Sequence, residues 1–223
     1  MAIRIDGTPR FRQRVIAALG EICPCFEYTL AADGSVTARP RLPRDLFCDC
    51  YCDRRAGCNL LDDLINDRNN VTISSTQSGS RYDTNTRDLR WNPNNRPQVR
   101  TVQGRRATPA SLVLGHELVH AQHHNAGTLA DGETNGQSNE EINASRGENQ
   151  LRAERRPPIP ARTHHGGLPV PNPQQPDLDD RDRQNCGCGL IDRILRAIRR
   201  FFARLFRNLF GRREREEREE RGE

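Results

Sequence analysis

The chain contains no lysine; all 35 of its basic residues are arginine. Ubiquitin is attached to lysine side chains, so that route of modification is closed. Two origins fit the absence: a GC-rich genome, which favours arginine codons, or avoidance of ubiquitination by a protein that works inside a eukaryotic host. Aromatic residues are also scarce at 5%, and only 34% of the 223 residues are hydrophobic, which excludes a large two-domain core. No run of 18 apolar residues occurs, so a membrane-spanning helix is not expected. The net charge is only +5 and no stacking platform accompanies the arginines, which argues against a nucleic-acid role. The apolar patch Val15 to Leu19 is too short for a signal-peptide core, and no small-residue cleavage site follows it. The expected location is therefore the cytoplasm of the producing cell, with delivery by a dedicated secretion machine left open.

Eight cysteines are present: Cys23 and Cys25, then Cys48, Cys50, Cys52 and Cys58, then Cys186 and Cys188. Their C-x-C pairs differ from the C-x2-C knuckles of zinc ribbons. A structural metal, disulfides and free thiols all remain open.

Hydrophobic periodicity organises the rest. Ile3-Arg-Ile5 alternates into Asp6-Gly7 as a strand, and apolar residues from Phe11 to Ile22 recur with a helical period. Asp33-Gly34 marks a hairpin turn. Leu60 to Ile65 reads as a short helix before the strand Val71 to Ile73, and Ser74 to Arg106 as mostly loop. A Pro- and Asn-rich stretch from Pro157 to Asp180 reads as a linker.

The segment Thr108-Pro-Ala-Ser-Leu-Val-Leu-Gly-His116-Glu117-Leu-Val-His120 carries chemistry. Thr108 suits a helix cap, Pro109 a first turn, and Asn125 to Gly127 a stop. Within that helix His116 and His120 are four residues apart, about 40° around the axis and roughly 6 Å along it. Two imidazoles so placed can close on one zinc ion (Zn2+), each bond about 2.0–2.1 Å long. Glu117 can reach the position beside the ion, take a proton from the attacking water and return it to the leaving amine. A third ligand is needed. Position 126 is alanine, which rules out a third histidine at H-E-x-x-H-x-x-G-x-x-H spacing. Carboxylates in the stretch Asn139 to Gly147 are the leading candidates, with His123 and His124 behind them.

His116-Glu-Leu-Val-His120-Ala-Gln-His123, with Gly127 and the Glu140-Glu141 pair, resembles the zinc helices of clostridial neurotoxin endopeptidases. A longer stretch resembles a bacterial family of effector metalloproteases delivered by type III secretion. It includes Ile5-Asp-Gly7, Gly57 to Leu61, Val71 to Ile73, the Leu-Gly-His-Glu-Leu-Val-His core and Glu148-Asn149-Gln-Leu151-Arg152, then Pro158 and Arg162. The resemblance implies Glu141 as third zinc ligand and Glu140 as its support. It also makes Glu148, Asn149 and Arg152 part of a signature after the zinc site; the alternative is a charged helix with Glu148 and Arg152 paired at i,i+4. Where the family tends to have a tyrosine three residues after the arginine matching Arg162, this chain has His165. Its N–H could stabilise an oxyanion in place of a phenol, or that element is lost.

From residue 189 to 210, Leu190, Ile194, Leu195, Ile198, Phe201 and Phe202 begin a wide apolar face, with arginines filling the opposite one. This amphipathic helix suits an anionic membrane surface or docking onto a protein. The expected architecture is α+β: a zincin-like metallopeptidase domain over residues 1–168, with a cysteine-containing insertion at 24–56, a Pro/Asn-rich linker at 169–188, and the separate helix with a charged tail at 189–223. The expected function is zinc-dependent hydrolysis of a protein substrate by an effector or toxin, with His116, His120 and Glu141 on the metal and Glu117 and His165 catalytic. The rival is a membrane-binding or membrane-perturbing protein acting through the C-terminal helix.

Overall fold

The computed structural model describes residues 3–40 and 55–178. The chain divides into one unit from Met1 to Arg181 and a second from Asp182 to Glu223. The second unit, and with it the expected amphipathic helix and membrane contact, lies outside the described residues. So do Cys48, Cys50, Cys52, Cys186 and Cys188. No described helix is long and apolar enough to cross a membrane.

The first unit is a mixed α+β structure. Alternation of Ile3, Arg4 and Ile5 makes β1 (Ile3–Ile5), both isoleucines buried. It lies parallel to β4 (Val71–Ser75), which is parallel to β6 (Asp88–Trp91); β5 (Arg81–Asp83) pairs antiparallel with β6 and closes the edge. The sheet order is β1-β4-β6-β5. Helix α1 (Pro9–Ile22) follows β1; Thr8 caps it by accepting from the Phe11 amide, and Pro9 occupies the first turn. Its apolar stripe, Phe11, Val15, Ala18, Leu19 and Ile22, is buried as its period predicts.

The hairpin β2 (Phe26–Leu30) with β3 (Val36–Pro40) turns at Asp33-Gly34, as expected. Helix α2 (Ala56–Asn66) is longer than the predicted Leu60 to Ile65, because its N-terminus is capped from far away. The Glu154 carboxylate accepts from the Ala56 and Gly57 amides at 2.6 and 3.3 Å, which suits the positive end of a helix. A disulfide joins Cys23 at the end of α1 to Cys58 in α2, so one of the three open cysteine states is settled for that pair.

The region expected to be mostly loop, residues 74–106, instead holds β5, β6, β7 (Gln98–Thr101) and β8 (Gly104–Ala107). Leu89, Trp91 and Val99 supply the inward positions, and arginines between them disguise the alternation. Three further two-stranded ribbons are small: β7 with β8, β9 (Glu133–Thr134) with β10 (Gln137–Ser138), and β11 (His164–His165) with β12 (Leu168–Pro169).

Helix α3 (Ala110–Ala126) packs on α4 (Asn139–Glu154). A glycine from each helix faces a branched side chain of the other. A Cβ on Gly115 would stand 2.6 Å from Leu151 Cδ1, and one on Gly147 would stand 2.9 Å from Val119 Cγ2. This pair of notches lets the two backbones approach closely enough for their polar side chains to meet. Gly127, at φ 68°, ends α3 as anticipated, its amide donating back to the His123 and His124 carbonyls. The start of α3 differs from expectation. Thr108 does not cap it; its hydroxyl accepts from Arg152 at 2.7 Å instead.

The Pro- and Asn-rich segment is not a free linker in its described part. Val170 and Leu178 are buried, and α4 holds the strap by its backbone. Arg146 donates to the Pro171 carbonyl, Asn149 to that of Pro173, and Gln150 to that of Leu178. Proline cannot donate from its backbone but keeps its carbonyl, so its positions in such a segment can be held only as acceptors. The segment from Val170 to Leu178 is thus packed against α4.

Candidate functional site

Helix α3 buries Leu112, Leu114, Leu118 and Val119, yet His116, Glu117, His120 and His123 on the same helix are also buried. Burying four polar groups on one helix is costly unless each finds a partner or a task. Helix α4 supplies the partners. Its first turn carries Glu140 and Glu141, where carboxylates suit the positive helix end, and two turns later it carries Glu148.

The three residues expected to hold a metal converge. Glu141 Oε2 lies 3.3 Å from His116 Nε2 and 3.5 Å from His120 Nε2. Behind these atoms each other ring nitrogen faces a carboxylate, hydrogen-bonded for His120 and only near for His116, whose Nδ1 has no aligned partner. His120 Nδ1 is 2.8 Å from Glu140 Oε1, and His116 Nδ1 is 3.4 Å from Glu148 Oε2. Glu140 thus contacts His120, whereas the resemblance implied it as a support of Glu141. His165, expected at the site, is there: its Nδ1 lies 2.9 Å from Glu141 Oε2, and its ring centroid 5.1 Å from that of His116. His116, Glu141 and His165 offer donor atoms within 4.8 Å of one another. Glu117 lines the same cleft, of about 470 Å³, and its carboxylate makes no hydrogen bond to any described residue.

Electrostatics follow from this crowding. Burial disfavours the charged form of His116, but hydrogen bonds to Glu141 and Glu148 outweigh it and raise its pKa to about 10. His120 is shifted upward against the same burial by Glu140 and Glu141. Burial would raise Glu140, yet His120 and His123 hold it down at about 2. Burial likewise opposes ionisation of Glu141 and Glu148, and their histidine partners win, pushing both well below the usual carboxylate range.

Glu148 does more than pair with Arg152. The i,i+4 pair is present, Glu148 Oε1 lying 2.7 Å from Arg152 Nη2, but both residues are almost wholly buried, at 1% and 0% exposure. One Glu148 oxygen accepts from Arg152, while the other accepts from Arg162 at 2.9 Å and faces His116. Asn149 grips the backbone of Arg162, accepting from its amide at 2.6 Å and donating to its carbonyl at 2.9 Å. Glu148, Asn149 and Arg152 together fix the turn that delivers His165 three residues later.

Two participants escape a reading of the sequence. Tyr82 on edge strand β5 lines the cleft, its hydroxyl 2.9 Å from His124 Nδ1 and its pKa raised to about 12 by burial. Asp177, in the strap, lies 3.0 Å from His123 Nε2. The aromatic among the polar residues 74–106 hinted at Tyr82; nothing local marked Asp177.

Residues 45–185, more than half of the chain, match the family model Peptidase_M91, described as Effector protein. The match extends past the strap. No curated protein and no solved structure matches the chain significantly.

Proposed function

The chain belongs to the Peptidase_M91 family of effector proteins, and from that premise we propose that it is a zinc-dependent endopeptidase of zincin-like architecture acting on a protein substrate. One observation carries the metal: His116 Nε2 and His120 Nε2 stand 3.3 and 3.5 Å from the same Glu141 oxygen. Four ligands at zinc distances of about 2.0–2.1 Å lie about 3.3–3.4 Å apart along a tetrahedral edge. Two of the three donor spacings thus suit the ion, and all three donors are of the right chemical type. Each histidine also has its far nitrogen against a carboxylate, the arrangement that orients imidazole ligands.

Zinc held there would act as a Lewis acid on the scissile carbonyl and on a water molecule. Glu117, adjacent to the ligands and with a carboxylate free of other hydrogen bonds among the described residues, takes the proton of the attacking water and passes it to the leaving amine. His165 lines the cleft beside His116 and donates an N–H to the developing oxyanion, the task a phenol performs elsewhere in the resemblance. Its 2.9 Å approach to Glu141 is shorter than a tetrahedral edge, which favours a hydrogen bond over a fourth metal ligand. Family membership supports delivery into a host cell as the route to the substrate.

The test is metal content of purified wild-type and Glu117→Gln protein, with peptide-library cleavage on both. A single zinc in each, with cleavage by wild type alone, is expected. Protein that takes up no zinc in either form would sink this reading and move attention to residues 189–223.

A further inference from the structure

We propose that the Pro- and Asn-rich strap is a working part of the metal centre, and that Asp177 is a positioning residue for His120, acting through His123 and Glu140. The proposal rests on the zinc reading above and adds a component that lies more than fifty residues away in sequence.

The strap is placed by α4. Gln150 accepts from the Asp177 and Leu178 amides at 2.9 and 2.6 Å and donates to the Leu178 carbonyl at 3.1 Å. Leu178 inserts beside Gly147, where the helix crossing leaves room. This seat fixes the Asp177 carboxylate 3.0 Å from His123 Nε2. The other nitrogen of His123 is 2.9 Å from Glu140 Oε1, and the same oxygen is 2.8 Å from His120 Nδ1. Four side chains therefore form a line: Asp177, His123, Glu140, His120. The far oxygen of Glu140 accepts from the Ala130 amide at 3.1 Å, so the carboxylate is tied at both ends.

The line has a direction. His123 Nδ1 is hydrogen-bonded to Glu140, while Nε2 meets the Asp177 carboxylate as a close charge contact, Asp177 Oδ2 having no aligned hydrogen bond. Without Asp177, the ring is free to rotate or to turn a lone pair toward Glu140 Oε1. Glu140 then loses one of its two imidazole donors, and His120 loses the fixed acceptor that aims Nε2 at Glu141. Groups that orient a metal-ligating histidine are worth about 10–100-fold in metal affinity, and a residue one step further out falls at the low end.

Zinc affinity of the full chain, measured by competition with a chromophoric chelator, tests this without any substrate. Asp177→Asn, which keeps shape and removes the charge, should weaken zinc about tenfold, and Asp177→Glu should recover part of the loss. His123→Gln should weaken it at least as much. The double variant should be no weaker than His123→Gln alone, because Asp177 has no other route to the metal. Melting of the metal-free proteins checks that each variant is folded. Wild-type affinity in a folded Asp177→Asn protein, or additive losses in the double variant, would overturn the proposal. Failure of wild type itself to bind zinc would instead sink the underlying reading.

Discussion

Two places among the described residues gather three metal-ligating side chains, and they have been closed in opposite ways. On one, Cys23, Cys25 and Cys58 bring their sulfurs within 4.8 Å of one another, and Cys23 and Cys58 have spent theirs on a covalent bond between α1 and α2. On the other, His116, Glu141 and His165 are held by hydrogen bonds alone, with His120, Glu140 and Glu148 around them. A covalent closure fixes the chain and consumes the donor atoms. A closure by hydrogen bonds fixes the side chains while leaving lone pairs to spend on an ion. The first region thus contributes to stability and the second to chemistry, and this division can be tested by breaking each.

The largest effect is expected at the chemical cluster. Glu117→Gln should lower cleavage by about 10²–10⁴-fold while leaving thermal stability and zinc content close to wild type. Loss of zinc in that variant would mean that Glu117 helps to hold the site together, and the division would blur. The next effect belongs to the covalent cluster. The bridge spans a sequence separation of 35 residues, so Cys58→Ser should destabilise the protein by roughly 3–4 kcal/mol in a urea titration. Zinc affinity of the folded fraction should not change. A tenfold change there would show that the two regions are coupled.

The regions should also differ in how stability follows pH. In metal-free protein, burial disfavours charge on His123, but Asp177 and Glu140 raise its pKa to about 9. A raised histidine stabilises fully below its ordinary 6.5 and loses that contribution as pH climbs through 9. Glu140, held down at about 2, stabilises fully above 4.5 and loses it as pH falls through 2. Metal-free stability should therefore form a plateau between these limits, with an alkaline limb on the order of 2 kcal/mol. Cys58→Ser should lower that profile without reshaping it, whereas His123→Gln should shrink the alkaline limb and leave the part that His116 and His120 contribute. An unchanged limb in His123→Gln would place the titration elsewhere. Smallest is Glu154→Ala, which uncaps α2 on the cysteine side. It should cost about 1 kcal/mol and leave zinc binding intact.

What was legible in the sequence follows the reach of each interaction. The α1 stripe and the H-E-x-x-H turn are set by neighbours three and four residues away, so periodicity was enough to place them. The Glu140 and Glu141 pair could be put on a following helix from its position, but the choice between them came from the family resemblance. Strands β5 to β8 escape a periodicity reading because their outward positions are mostly arginine, aspartate and glutamine, which read as loop. Thr108 looked like a cap because caps are local, and it was claimed by Arg152, 44 residues away. The strap was read as linker for a related reason. Its hold on the domain runs largely through backbone carbonyls, which every residue has and no composition reveals. Cysteine pairing was equally opaque, since C-x-C spacing carries no rule for choosing partners.

The reciprocal glycine notches at the α3–α4 crossing have a consequence for anyone mapping the enzyme by random mutagenesis. The distance between the H-E-x-x-H turn and its carboxylates is set by two residues that own no reactive atom. A selection scored only on loss of cleavage will return Gly115 and Gly147 alongside the ligands, and the map of apparent active-site positions will be wider than the chemistry. The reverse also holds. Copying His116 to His120 onto the helix of another scaffold transfers the motif but not the gauge, and such a graft will carry the letters of a protease without its spacing.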